Sequence, residues 1–210
     1  MGRNASAEFA TMRFLLSSSG KSFEWMEELN SDALLDAMLQ LRNYQLFISE
    51  GTTMDTSTLE AEICNQVEKN GIRVVVIDDL ASYGPARSGT ALQKYANNIA
   101  KALKQLAEKL RIVVFLTSQI ERKIDRYQGI LQLMPRHIQY ILFGAPEVDR
   151  IIGLSRLSYH GIDYDEEGNV VQNQIRLDML RNKSGELTSV ELLYNQRMSS
   201  FLESPKGSIH

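Results

Sequence analysis

Two carboxylates, Asp78 and Asp79, follow directly on the unbroken apolar run Val74-Val75-Val76-Ile77. Such a run reads as a strand buried on both faces, the pattern of a parallel sheet between helices. In open α/β sheets, ligands bind outside the carboxyl ends of the strands. Asp78 therefore stands where such a fold meets its ligand; the plainer alternative is an acidic cap on the following turn. Other chemistry-bearing groups read less well. Gly20-Lys21-Ser22 looks like the end of a phosphate-binding loop, but Leu15 sits where that loop needs another glycine, and a helix precedes it in place of a strand. Asp163-Tyr164-Asp165-Glu166-Glu167-Gly168 imitates the start of a calcium loop, yet Gln174 falls at the closing position and cannot supply a bidentate carboxylate. His137, His160 and His210 are too scattered to suggest a metal cluster.

The elements that position these groups follow from spacing. A helix opens with Ser6 as N-cap and keeps Phe9, Met12 and Leu16 on one face until Ser17–Gly20. Two helical stretches come next, about Phe23–Leu29 and Asp32–Arg42, the second with Leu34, Leu35, Met38 and Leu41 on one side. Leu46-Phe47-Ile48 reads as a short strand. A helix over Thr56–Lys69 packs through Leu59, Ile63 and Val67, and Asn70-Gly71 stops it. After the Asp78 strand and a Gly/Pro/Ser loop, Thr90–Leu110 is the longest helix, with a stripe of Leu92, Tyr95, Ala96, Ile99, Leu103, Leu106 and Leu110. Ile112–Ser118 reads as a second fully buried strand, ending at Gln119. The stretch from Glu121 to Pro146 mixes basic with apolar residues, and Arg150–Leu157 is a third apolar strand. An acidic hairpin loop (Gly161–Asn169) and two alternating strands, Gln174–Leu180 and Leu187–Tyr194, follow. Their alternation predicts antiparallel pairing at a sheet edge. A tail from Ser199 is expected to fray. One α/β domain over 1–210 results. A strand ending in Asp is also the Walker B arrangement of P-loop nucleoside-triphosphatases, whose Asp helps to hold Mg²⁺.

Composition bounds the function. The 210 residues are 43% apolar and 23% charged, the balance of a globular protein. Net charge is −3, so DNA contact calls for a local basic patch, since no global field is present. The single cysteine, Cys64, excludes an internal disulfide and fits a reducing, cytoplasmic setting. No apolar run is long enough to span a membrane.

In order and spacing, the motif series resembles the C-terminal, RecA-like ATPase domain of DnaB-type replicative DNA helicases, from Ser6 to about Phe201. Ser6-Ala7-Glu8 with Met12-Arg13 is similar to the helix after that family's second core strand. Val75-Ile77-Asp78 with Leu80 matches its Walker B strand, and Ser88–Leu110 its long helix. Leu116-Ser118-Gln119 matches its sensor strand. Arg181-Asn182-Lys183-Ser184-Gly185 with Val190-Glu191-Leu192 resembles its basic hairpin. The resemblance implies a RecA-like P-loop NTPase core: a mostly parallel sheet flanked by helices, with a C-terminal antiparallel hairpin. It also implies ATP and Mg²⁺ between subunits of a ring on single-stranded DNA, driving duplex unwinding in replication. Asp78 becomes the Mg²⁺-side carboxylate with Asp79 beside it, and Gln119 the γ-phosphate sensor. Arg181 and Lys183 act on a neighbour's nucleotide, where cations stabilise charge developing on the phosphate. Arg122, Lys123, Arg126 and Arg136 fall where this family's inward loops meet the DNA backbone; the bland reading of that stretch is a solvated loop.

The chain departs from the family pattern. It carries no Walker A sequence and begins about where the family's second core strand ends, so the first strand and P-loop are missing from the expected core. Asn4 falls at the position of the family's catalytic glutamate and cannot act as a base. The family's Lys-x-Arg appears as Arg181-x-Lys183, and lysine offers a point charge in place of a fork. Asp79 replaces an aromatic, and of the acidic motif before the third strand only Glu147 and Asp149 are recognisable. Two readings stay open. One is a piece of a helicase-like protein whose P-loop lies upstream. The other is a degenerate paralogue, a non-hydrolysing module that docks to a helicase ring or to single-stranded DNA.

Overall fold

The computed structural model describes residues 7–19, 35–36, 38–39, 42–49, 55–78, 89–118, 146–156, 158, 161–164, 168, 170–197 and 200–209. The chain divides into two compact units. The first comprises Met1–Asn4, Gly51–Ile151 and Leu180–Glu186; the second comprises Ala5–Glu50, Ile152–Met179 and Leu187–His210.

In the first unit, helix α2 (Thr56–Asn70) leads to strand β1 (Val74–Ile77), and helix α3 (Gly89–Leu110) leads to strand β2 (Val113–Leu116). Helix α2 starts where Asp55 accepts from the backbone N–H of Thr58 at 2.7 Å, and that bond holds the Asp55 carboxyl below its ordinary range. It ends at Gly71, whose left-handed φ of 64° lets its N–H reach Val67 O. The two strands pair in parallel, Val74 opposite Val113 and Ile77 opposite Leu116. Leu59 and Ile63 of α2, Ala96, Ile99, Leu103 and Leu106 of α3, and Ile77 and Ile112 make one buried core. The helical spacing predicted from sequence is what brings them together.

One expectation fails here. Neither β1 nor β2 is buried on both faces. Val75 and Val114 turn toward the helices and pack on the core, whereas Val74, Val76, Val113 and Phe115 are 54, 63, 54 and 51% exposed. Side chains alternate across a strand, and α2 and α3 both pack on the same face. An apolar run records residue type; which face meets a helix is decided by tertiary packing.

The second unit holds helix α1 (Ala7–Ser19), with Leu15 and Leu16 buried. It also holds most of a four-stranded sheet ordered β3-β4-β5-β6. The strands are β3 (Arg150–Arg156), β4 (Gln174–Asn182), β5 (Ser189–Asn195) and β6 (Ser200–Ile209); Arg150–Ile151 and Leu180–Asn182 count with the first unit. β4 pairs antiparallel with β5, and β5 with β6. The predicted hairpin is thus present, but β4 and β5 are interior strands. The residues expected to fray supply the edge: Leu202 lies opposite Leu193 and Phe201 opposite Tyr194, with the rings of Tyr194 and Phe201 5.3 Å apart. The acidic loop is pinned by a bridge between Tyr164 and Val170.

Two further corrections concern short apolar clusters. Leu46-Phe47-Ile48 is not a strand, and all three side chains are exposed; an apolar cluster becomes a strand only where a neighbouring ladder pairs its backbone groups. Leu35 and Met38, placed on one apolar side of a helix, are exposed as well. Ser6, the stretch Phe23–Leu29, Leu34 and Leu41 lie outside the described residues.

Candidate functional site

Asp78 leaves the carboxyl end of β1 with its side chain exposed. The parallel register places Thr117 beside it, one residue beyond β2, where the N–H of Thr117 donates to Ile77 O at 3.0 Å. The Thr117 hydroxyl donates to Asp78 Oδ1 in a short hydrogen bond. Among the described residues, no side chain donates to Asp78 Oδ2. Among the described residues, the result is a carboxylate aimed by one side-chain donor, with its other oxygen free of side-chain donors, at the end of the sheet where α/β folds bind ligands. That donor set suits Mg²⁺ arriving with phosphates. Such an ion takes one or two protein carboxylates and fills its remaining positions with phosphate oxygens and water. Among the described residues, no group of three His, Cys, Asp or Glu side chains could hold a metal unaided.

A second cluster forms around the tip of the β4–β5 hairpin. Asn182 stitches the turn: its Oδ1 accepts from the N–H and the hydroxyl of Ser184, both at 3.3 Å, and its Nδ2 donates to Glu186 O at 3.1 Å. A Cβ at Gly185 would come within 2.8 Å of that carboxamide nitrogen, so a side chain there would displace Asn182 from its present position. The tip is tied to the segment before β3. The Lys183 N–H donates to Asp149 O at 3.0 Å, Arg181 Nη2 to Pro146 O at 3.5 Å, and Arg150 Nη2 to Ser184 Oγ at 3.3 Å.

The charges of this cluster converge on Asp149. Lys104 of α3 donates to Asp149 Oδ2 at 2.7 Å, and Lys183 reaches Oδ1 at 3.4 Å. Lys104 also pairs with Glu108 one turn along α3 at 3.1 Å. The hydrogen bond from Lys104 holds the Asp149 carboxyl below its ordinary range, with Lys183 adding to the effect. In turn, Asp149 first and Glu108 second raise the Lys104 ammonium. The two shifts agree in direction, as they must for one ion pair.

Of the residues singled out from sequence, the structure describes Asp78, Arg181 and Lys183, and it sets the first apart from the other two in separate clusters of the first unit. Asp79, Gln119, Arg122, Lys123, Arg126 and Arg136 lie outside the described residues. Sequence reasoning missed Thr117, Asn182 and Lys104. Asn182 carried a signal in the Asn-x-Ser-Gly turn it opens. Thr117 carried none, since only the register of β1 and β2 brings it to Asp78.

This arrangement can be set beside known proteins. The family of DnaB-like helicase C terminal domains matches residues 6–203, nearly the whole chain. The chain belongs to that family. Among curated proteins, this DnaB-type domain is similar to the replicative DNA helicase DnaB of Geobacillus stearothermophilus, at 24% identity over 167 residues. The match takes in 79% of the chain but 36% of that helicase, so the domain spans about a third of its relative's length. Two solved structures share the fold. One is a DnaB-like replicative helicase described with its interactions with primase: TM-score 0.74, 19% identity, covering 90% of this chain and 47% of that one. The other is an ATPase domain: TM-score 0.76, 20% identity, covering 92% of this chain and 69% of that one. The DnaB-type domain thus shares the fold of these two structures, with a parallel pair and an antiparallel sheet. No helix among the described residues is long and apolar enough to cross a membrane.

Proposed function

We propose that this DnaB-type domain works in ATP-driven unwinding of duplex DNA, as one unit of a helicase ring on single-stranded DNA. The observation that carries the reading is the Asp78–Thr117 pair at the carboxyl end of the parallel strands of a DnaB-family fold. Bound Mg·ATP supplies a transferable phosphoryl group. Asp78 holds the Mg²⁺ side of the nucleotide, Thr117 fixes the carboxylate, and Asp79 lies beside it in sequence. Gln119, just past β2, reads the γ-phosphate. Arg181, near the end of β4, and Lys183, on the turn that Asn182 stitches, meet the nucleotide of a neighbouring subunit and offset charge on its phosphates. Arg122, Lys123, Arg126 and Arg136 supply the contact to the DNA backbone. Residues 1–210 contain no Gly-x4-Gly-Lys-Ser/Thr loop, and turnover in this reading needs a phosphate cradle from outside them.

Calorimetric titration of the chain with Mg·ATP tests the reading. Weak but saturable heat, from the Asp78 side of the nucleotide site without its cradle, that Asp78→Ala abolishes is the expected result. Heat that survives Asp78→Ala removes Asp78 from the site. Absence of heat at millimolar ATP, together with salt-sensitive binding of single-stranded DNA, favours the non-hydrolysing docking module instead.

A further inference from the structure

We propose that Asp149 and Lys104 form a holding site for the Lys183 ammonium, from which Lys183 is handed to a phosphate group. Asp149 is then a positioning residue and a built-in competitor for the anion that the hairpin meets. The inference rests on the reading of that hairpin as phosphate-facing and adds how its lysine is held and released.

The geometry carries it. Two ammonium groups share one carboxylate, each on its own oxygen and at unequal distances. Lys104 sits 2.7 Å from Oδ2, the length of a charge-assisted hydrogen bond. Lys183 sits 3.4 Å from Oδ1, beyond that length, with its side chain 40% exposed. The second contact is therefore a loose ion pair that solvent and competing anions weaken. The Lys183 backbone is fixed by its N–H on Asp149 O at 3.0 Å, so release involves only rotation of the four-carbon stem. When Lys183 leaves, Asp149 keeps Lys104 and is not orphaned. Lys104 is itself steadied by Glu108 at 3.1 Å. Lysine suits this exchange, because an ammonium is a point charge with three rotatable donors that can change partners, whereas a guanidinium fork would lock onto both carboxylate oxygens.

The two members of the holding site affect anion binding in opposite directions. Removing Asp149 frees Lys183 and tightens binding. Removing Lys104 leaves Lys183, among the described residues, as the one cation on Asp149 and weakens binding. A purely structural role would shift both the same way. The full chain is titrated with inorganic tripolyphosphate while NMR follows the amides of Arg181–Glu186. Asp149→Asn, with Asp149→Ser as a second variant should the first lose its fold by circular dichroism, is expected to bind about 2- to 5-fold tighter, the range set by half-exposed ion pairs. Lys104→Met is expected to bind weaker by a similar factor, and Lys183→Ala to bind weakly whether or not Asp149 is present. Hairpin amides that do not respond, or that respond equally in Lys183→Ala, overturn the phosphate-facing reading and this inference with it. Binding that needs Lys183 but is unchanged, or moves the same way, in the Asp149 and Lys104 variants overturns the holding site alone.

Discussion

Asp178 carries a charge into the sheet of the second unit with only 2% of its surface exposed. A buried carboxylate needs partners to offset its lost hydration. Its Oδ1 accepts from Arg176 Nε at 2.8 Å and from the Ser189 hydroxyl at 2.6 Å, while Oδ2 is buried without a partner among the described residues. Replacing Asp178 with alanine strips Arg176 of its counter-charge, so Asp178→Ala should lower stability by about 2–3 kcal/mol. Urea unfolding measures this, and a loss under about 0.5 kcal/mol would refute it. Asp149 supplies a second test, of pH dependence. Its carboxyl is lowered on folding, so the stability it contributes is present above the ordinary carboxylate value and is lost as pH falls through the lowered one. Lys104 is raised, so its share persists up to the ordinary lysine value and is lost only as pH climbs through the raised one. Between about pH 4 and pH 10 the pair is constant. Below that window Asp149→Asn should lose less stability than the parent chain. The difference should be at most about 1 kcal/mol, because the pair is solvent-screened; identical acid limbs would discount the pair. At this scale sequence told only part of the story. Asp78 was legible because an apolar run ends in it. The partners of Asp149 were not, since Lys183 and Lys104 lie 34 and 45 residues away.

Single elements were legible where period and punctuation agreed. Helix α2 has both: Leu59 and Ile63 on one face, Asp55 at its start and Gly71 at its end. Helix α3 shows the same agreement between its stripe and its buried residues. The failures lack one of the two signals. Leu46–Ile48 had apolarity without a partner strand. β6 had a partner, but its Ser, Glu, Pro, Lys and Gly residues hid it, and its pairing with β5 is a tertiary event that no local pattern announces. The C-cap gives a clean test, because Gly71 has φ 64° and open space where a Cβ would point. Gly71→Ala meets no neighbour, so its cost is backbone strain alone, about 1 kcal/mol. The urea midpoint reports it, and no change would mean that the left-handed cap is dispensable.

At the scale of the molecule, sequence conveyed the class and order of the parts. The parallel pair precedes the antiparallel strands, and the long helix between β1 and β2 is the crossover that parallel pairing requires. It misjudged layering, because β-branched residues look alike whether they face a helix or not. Val75 and Val76 are neighbours of one type with opposite surroundings: Val75 packs on the core, and Val76 is 63% exposed. The same near-isosteric change at both positions measures that difference. Val75→Thr places a hydroxyl against the apolar side chains of α2 and α3, at a cost of about 1–2 kcal/mol. Val76→Thr keeps a β-branched residue on the exposed face and should stay within about 0.5 kcal/mol of the parent. Both are read from urea unfolding of the full chain. Equal losses would mean that the outer face of the parallel pair is covered in solution and that the strands are enclosed on both sides after all. The predicted inequality would show that the face of β1 turned toward α2 and α3 carries the packing that holds the strand up to Asp78.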